Sequence, residues 1–362
     1  MNEVEGYRTD PSFLTLSREI ADENCILFVG SAVSTAAGVP TWDALENIMR
    51  QKAYISGSYS PSRIADCCRE VLGTRLFNKL IGNCMKSITV PTQLHRRLSD
   101  LPVRFYVTTN PDTLLDRAIE EKVGLDSTRV LSILDDDQWL HIPDNPEGKW
   151  VLKIHGCISR TPDNLVITEE DYLAFAENYP RVVQGLSKVI AEKSILFVGY
   201  ALSDWDVLSA LHKVRHVAQR STGNRYFVGV DLEPPMERFL QSRYGLRVFN
   251  LRERAEADHK GQGSEYIVLG FLDTLAKQFE IPTWFSRIIT DIGYYEDVGD
   301  LMTTTPIAAL FPGFDVTARV RLALKIEKER EIQLPLERIC DPVLTIGELL
   351  SLVRNIGEGG IL

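Results

Sequence analysis

Short β-branched and aromatic runs alternate with long amphipathic stretches along this chain, and no other feature restricts its fold as much. The runs at residues 25–29, 103–107, 151–154, 195–198, 226–230 and 247–249 carry hydrophobes on both parities. Strands read this way when helices cover a parallel sheet above and below. The pattern predicts an α/β fold, a Rossmann-like doubly wound parallel sheet. About seventy residues separate the first two runs, far more than one crossover helix needs, so a helical insertion is expected at about residues 41–100.

Within that insertion, Ile64, Cys68, Val71, Leu72, Leu76, Leu80 and Ile81 recur at intervals of three and four, which predicts one core-facing helical stripe over residues 62–86. A second insertion is expected after His155. There Thr168 and Asp171 form an acidic variant of the capping box ahead of Tyr172 and Phe175, and Pro180 should break or kink the helix that follows. Residues 262–280 read as the last helix of the body, with Ile267, Phe271, Leu275 and Phe279 on one face.

Beyond Pro282 the pattern changes. Val320, Leu322, Leu324 and Ile326 alternate with charged residues, and Ile332, Leu334 and Leu336 alternate again after a charged turn, which predicts a β-hairpin. Thr345 and Glu348 form a capping box before a closing helix. The domain reading is a body at residues 1–283 and a small C-terminal α+β appendage at 284–362. About eighty residues make a marginal core, so the appendage is expected to serve as an assembly or partner surface.

Composition narrows the function classes. Hydrophobic residues at 44% and charged residues at 25% exclude extended disorder. A formal charge of -10 argues against a chain whose main business is gripping a phosphate backbone, so no direct nucleic-acid binding is expected. Neither a signal peptide nor a membrane-spanning run is expected. Six cysteines without a C-x-x-C pair offer no local zinc or redox motif. A reduced, cytoplasmic protein without a metal is the expectation. The acidic triplet Asp135, Asp136 and Asp137 reads as a solvated loop.

Four strand ends carry the chemistry. The first run enters Gly30-Ser31-Ala32-Val33-Ser34 and a Gly38-Val39-Pro40 turn, where a strand meeting a helix start seats a pyrophosphate in many α/β proteins. The second ends in Thr109-Asn110-Pro111-Asp112, a sequence that turn and cap chemistry explain equally well. The third ends in Lys153-Ile154-His155-Gly156. The fourth ends in Gly199-Tyr200-Ala201-Leu202-Ser203-Asp204. Open α/β sheets bind ligands at such carboxyl ends, and together the four argue for one composite site. Asp231, after the fifth run, fits either a ribose hydroxyl or a helix cap. His95 reads as a buried structural histidine.

In this order the motifs resemble the SIR2-like family of NAD-consuming proteins over roughly residues 23–250, and within it the bacterial group of anti-phage defence. The pattern includes Pro91-Thr92-Gln93-Leu94-His95 as well as the four strand ends. Ser31 and Ala32 stand where that group has Ala and Gly, and Pro111 replaces an aromatic. The four-cysteine zinc module of the family's protein deacetylases is missing, and Trp42 or Asp43 stands in place of their arginine.

The resemblance implies hydrolysis of NAD, as substrate, to nicotinamide and ADP-ribose. It assigns Asn110, His155 and Asp112 as catalytic, with His155 as general base and Asn110 placing water and ribose. Gly30, Ser31, Ala32, Ser34, Pro40, Thr109, Gly199, Tyr200, Ser203 and Asp231 would bind the dinucleotide. A protein deacylase and a non-catalytic NAD or ADP-ribose sensor stay open beside it. The resemblance also implies a homo-oligomer held in check within a complex, with a HerA-like ATPase or an Argonaute-like protein as partner.

Overall fold

The computed structural model describes residues 7, 10–144, 146–160, 164–191, 193–200, 223–251, 264–279, 283–292, 305, 307–310, 316–339, 341 and 344–357. The chain divides into two compact units, Met1–Asp273 and Thr274–Leu362.

The first unit is built on seven parallel strands: β1 (Cys25–Val29), β2 (Phe105–Thr108), β3 (Thr128–Ser132), β4 (Lys149–Lys153), β5 (Ser194–Val198), β6 (Arg225–Val230) and β7 (Arg247–Leu251). Their order is β3-β4-β2-β1-β5-β6-β7. The expected doubly wound parallel sheet is therefore present. β1 and β5 are buried at every residue and pair in register from Cys25 with Ser194 to Val29 with Val198. The sequence reading missed β3, whose burial is interrupted at Arg129 and Val130 because it is the edge strand. β1 has β2 on one side and β5 on the other, so the chain reverses its direction of strand addition there, and a crevice opens above their carboxyl ends.

Helix α1 (Pro11–Ala21) precedes β1, and the short α2 (Ser31–Thr35) follows it. The expected insertion consists of α3 (Trp42–Ala53), α4 (Pro61–Leu72), α5 (Thr74–Met85) and α6 (Gln93–Asp100). The single stripe over residues 62–86 proves to be two helices. Gly73, at φ +75, ends α4 and caps α5, and the turn leaves Val71 and Leu76 exposed. Ile64, Ala65 and Cys68 face Phe77, Ile81 and Met85 in a separate small core.

After β2 come α7 (Leu114–Val123) and, beyond β3, α8 (Asp136–Leu140). The acidic triplet opens α8 instead of forming a loop: Asp135 accepts from Ser132 N–H at 2.7 Å and pairs with Arg160, and Asp137 pairs with Arg181. Beyond β4, Thr168 and Asp171 form the expected capping box of α9 (Glu169–Leu173), followed by α10 (Phe175–Asn178) and α11 (Pro180–Ile190), with Pro180 at the start of the last. α12 (Pro234–Tyr244) joins β6 to β7, and α13 (Ser264–Ala276) covers the core with Phe271 against Phe13 and Phe249.

In the second unit, α14 (Thr283–Ile292), α15 (Val316–Arg330), α16 (Leu336–Ile339) and α17 (Ile346–Gly357) enclose their own core. The expected hairpin is overturned, because residues 316–330 are one helix. Alternation at 320, 322, 324 and 326 coincided with a helical stripe. Arg319, Leu322, Ala323 and Ile326 are buried at spacings of three, one and three, while Leu324 is exposed. Thr345 and Glu348 make the expected capping box, with reciprocal bonds of 2.7 and 3.2 Å.

Buried charge ties the first unit together near the crevice. Lys153, 1% exposed at the end of β4, donates to the main-chain oxygen of Asp112 and to both Asp116 carboxylate oxygens at 3.1 and 3.2 Å. Burial is the largest influence and disfavours the ammonium, but the neighbouring acidic groups, Asp116 first among them, together outweigh it and hold the Lys153 pKa above its ordinary value. Removing one partner of such a pair strands the other in a dry interior. Asp116→Ala should therefore destabilise the protein by about 3–5 kcal/mol, measured by denaturant unfolding. A loss below about 1 kcal/mol, the worth of a surface pair, would contradict this assignment.

Candidate functional site

Above the carboxyl ends of β1, β2 and β4 lies a cavity with about 690 Å³ of empty space, its mouth included. One wall comes from the sheet: Ser31, Ser34, Thr109, Asn110, Pro111, Asp112, His155 and Tyr200. The other comes from the two insertions: Val39, Pro40, Trp42, Leu45, Ile81 and Met85 from the first, and Val166, Ile167 and Tyr172 from the second.

The floor is set by glycine. A side chain on Gly30 would meet the Gly199 carbonyl oxygen at 2.5 Å and the Tyr200 ring at 2.8 Å. Gly199, at φ +76, is equally closed against Val33. The two loops are stitched by Gly30 N–H to Val198 O and Ala32 N–H to Gly199 O, both 2.9 Å. The Ala32 amide, expected to face a pyrophosphate, is thus committed to the neighbouring loop. Gly30, Ala32 and Gly199 shape the cavity from behind, leaving the hydroxyls of Ser31 and Ser34 as the donors of that loop which reach its lining.

Asn110 is fixed on three sides. Its backbone N–H donates to Thr108 Oγ1 at 3.0 Å, and its Nδ2 donates to Gly30 O at 2.9 Å and Ser34 Oγ at 3.0 Å. Both amide protons are consumed, so the side chain offers Oδ1 as an acceptor. Pro111 O accepts from Ile158 N–H at 2.9 Å, and Lys153 holds Asp112 O, so the whole Asn-Pro-Asp turn is rigid. Asp112 Oδ1 accepts from Leu114 N–H at 3.0 Å at the start of α7. Its Oδ2 is buried and finds no hydrogen-bond partner among the described residues. One oxygen thus caps α7, as the cap reading has it, and the second is buried beside the cavity without a partner among the described residues.

His155 is 5% exposed, and its ring lies 5.4 Å from that of Tyr172 and 6.3 Å from that of Phe175. Tyr200 stands across from Thr109, with 3.4 Å between their hydroxyl oxygens. Eight of the expected residues thus line one cavity: Ser31, Ser34, Pro40, Thr109, Asn110, Asp112, His155 and Tyr200. Ser203 lies outside the described residues. Asp231 is exposed at the end of β6, at φ +50, and is not in the lining; the cap of α12 is Glu233. The apolar wall was missed because its residues are spread over α3, α5 and the segment before α9, and read there as ordinary core. No group of three or more His, Cys, Asp or Glu side chains able to hold a metal ion occurs among the described residues. None of the described helices is long and apolar enough to cross a membrane.

His95, buried as expected, stands behind Asp112. Its Nδ1 closes a capping box with Thr92 at the start of α6, at 3.3 Å from the backbone N and 3.0 Å from Oγ1. Burial pushes its pKa down to about 4, with Arg96 adding to this and the Asp112 carboxylate opposing it. The folded protein keeps this imidazole neutral, while the unfolded chain binds a proton below about pH 6.5. Stability should therefore fall as pH drops from 6.5 toward 4, with His95 contributing a loss of roughly 2–3 kcal/mol. Denaturant midpoints across that window should flatten in His95→Gln relative to the parent; parallel curves would refute the assignment.

Comparison with known proteins follows this geometry. The SIR2-like domain family matches residues 104–249, which run from β2 to β7. "Defense-associated sirtuin 2" of Bacillus subtilis is 27% identical over 217 residues, covering 58% of this chain and 21% of that protein. "NAD(+) hydrolase ThsA" of Bacillus cereus (strain MSX-D12) is 24% identical over 214 residues, 58% of this chain and 44% of that one. Its namesake in Cytobacillus dafuensis is 26% identical over 211 residues, 58% and 42%. The chain thus spans less than half the length of these relatives. A solved structure described as "The Structural basis for Sirtuin Substrate affinity" aligns with 64% of this chain and 98% of that one, at 14% identity and a TM-score of 0.31. With its motifs gathered at the carboxyl ends of one parallel sheet, the chain carries a SIR2-like domain match over residues 104–249 and is similar across that sheet to a defence-associated sirtuin and to NAD(+) hydrolases.

Proposed function

We propose that this protein hydrolyses NAD to nicotinamide and ADP-ribose in bacterial anti-phage defence. The observation that carries the reading is the meeting of Asn110 and His155, from the ends of β2 and β4, in one largely apolar cavity. Relatives named NAD(+) hydrolase support it.

The reaction breaks the bond between the ribose anomeric carbon and the nicotinamide nitrogen, and the bonding pair leaves with the nicotinamide. Positive charge develops on the sugar, as in glycoside cleavage. Nicotinamide departs without protonation because its ring nitrogen is cationic in NAD. The protein's work is to orient the ribose and admit one water. In this reading Asn110 Oδ1 accepts from that water or a ribose hydroxyl, and His155 receives the proton released as water adds to the sugar. The buried Asp112 Oδ2 orients the ribose or the nicotinamide amide, and Ser31 and Ser34 donate to the pyrophosphate.

An unrestrained NAD hydrolase would exhaust its own cell, so the reading includes cytoplasmic assembly under control. A homo-oligomer with a HerA-like ATPase or an Argonaute-like partner is the form proposed, with the second unit as the assembly surface. Substitutions to test that surface belong at exposed positions such as Leu324, since Leu322 and Leu334 fill the unit's own core.

Purified protein given NAD, with and without an acylated peptide, should release nicotinamide in both cases. Asn110→Ala and His155→Ala should each lower kcat/KM by about 10²–10³-fold with folding intact by circular dichroism. Release only with peptide would replace the reading by a deacylase. NAD binding with no turnover under any condition, in the presence of candidate partners, would replace it by a sensor.

A further inference from the structure

The apolar wall opposite Asn110 is buried and tied to His155 O by the Val166 N–H at 3.1 Å, and its outer edge is held by charge. Val166, Ile167 and Tyr172 line the cavity from residues 166–173, which lead into and end with α9. α9 has five residues and exposes Leu173, so it gains little from its own helical bonds. Beyond its buried Tyr172 and its capping box, α9 is tied by ion pairs to α4 of the helical insertion. Arg63 donates twice to Glu169, Nε to Oε2 and Nη2 to Oε1, both at 2.8 Å. Arg69 donates to Asp171 at 2.7 Å, to Glu170 at 2.8 Å and to Asp66 at 3.4 Å. Asp66 in turn accepts from the backbone N–H of Glu169 at 3.1 Å.

Asp171 passes this grip to the cavity. Its Oδ2 accepts from the backbone N–H groups of Ile167 and Thr168, at 3.1 and 3.0 Å, while its Oδ1 is held by Arg69. Four carboxylates, Asp66, Glu169, Glu170 and Asp171, meet two guanidinium groups here. Without the arginines the acids on α9 would repel Asp66 and push the wall away. Arg63 and Glu170 are well exposed, with side chains 58% and 79% accessible. Such pairs part at small cost and weaken with salt.

We propose that residues 166–173 form a gate on the cavity, and that Arg63, Asp66 and Arg69 are positioning residues that hold it closed with Tyr172 against His155. Opening it admits a ligand too large to pass the closed wall, without disturbing the strands below. That the ligand is NAD rests on the proposed function; the gate does not.

Hydrogen exchange on the full chain without ligand tests the gate. In Arg63→Glu, the amides of Ile167, Thr168 and Glu169 should exchange about three- to tenfold faster, with those of β1 and β2 unchanged. Adding Glu169→Arg, which restores the pair with reversed charge, should return the parent rate. In the parent, exchange at the three amides should quicken between low and high salt. With NAD, Arg63→Glu should change KM by more than kcat, and the second substitution should reverse it. Unchanged exchange at the three amides, an equal rise in β1 and β2, or no recovery in the double variant would each overturn the proposal. Parent protein that exchanges as described yet never cleaves NAD would remove the hydrolase reading and leave the gate standing.

Discussion

The site rests on one buried ammonium. Lys153 leaves the end of β4 and reaches the main chain of Asp112 and the carboxylate of Asp116, so one side chain fastens the turn after β2 to the start of α7. Its cost in desolvation is large and is offset only while Asp116 is ionised beside it. This arrangement gives the Lys153-Ile154-His155-Gly156 stretch a physical reading: the lysine fixes the turn that carries Asn110, and two residues later the same strand end presents His155. A lysine whose role is positional thus sits in a motif that otherwise reads as chemistry.

Around that anchor, the two halves of the cavity are built by different forces. The sheet side is rigid because backbone meets backbone without room for a methyl group at Gly30 and Gly199, and because Asn110 spends both its amide protons on the loop after β1. The opposite side is assembled from helices that share a small apolar core with Ile158, Leu165 and Ile167, and from ion pairs at its rim. Rigid backbone contacts thus surround Asn110, and weaker contacts lie at the opposite rim.

Much of this was legible in the sequence, for identifiable reasons. Strands such as 25–29 and 195–198 are apolar on both parities because both faces are covered, and the glycine or asparagine after each marks where the backbone turns toward the crevice. β3 was hidden because an edge strand with Arg129 lacks that signature. The break at Gly73 was hidden because apolar residues keep a spacing of three and four across it in the sequence, although Val71 and Leu76 are exposed. The false hairpin arose because the buried Arg319 counts as polar in an alternation, whereas in the helix it lies on the core face. Asn110, Asp112 and His155 were singled out because they follow apolar strands at one sheet edge and match motifs of the resembled group; Met85, Ile167 and Tyr172 were not, because only tertiary contact separates a cavity wall from a core.

The described lining contains an aspartate and a histidine but no lysine or arginine. On the proposed reading this bears on the end of the cycle. NAD enters carrying a pyridinium cation that partly neutralises its diphosphate, and the product leaves without it. A cavity furnished with hydroxyls, amides and one acid has no fixed cation to compensate for that lost charge. If the chain hydrolyses NAD, the described lining would hold the product less tightly than the substrate, which favours its release.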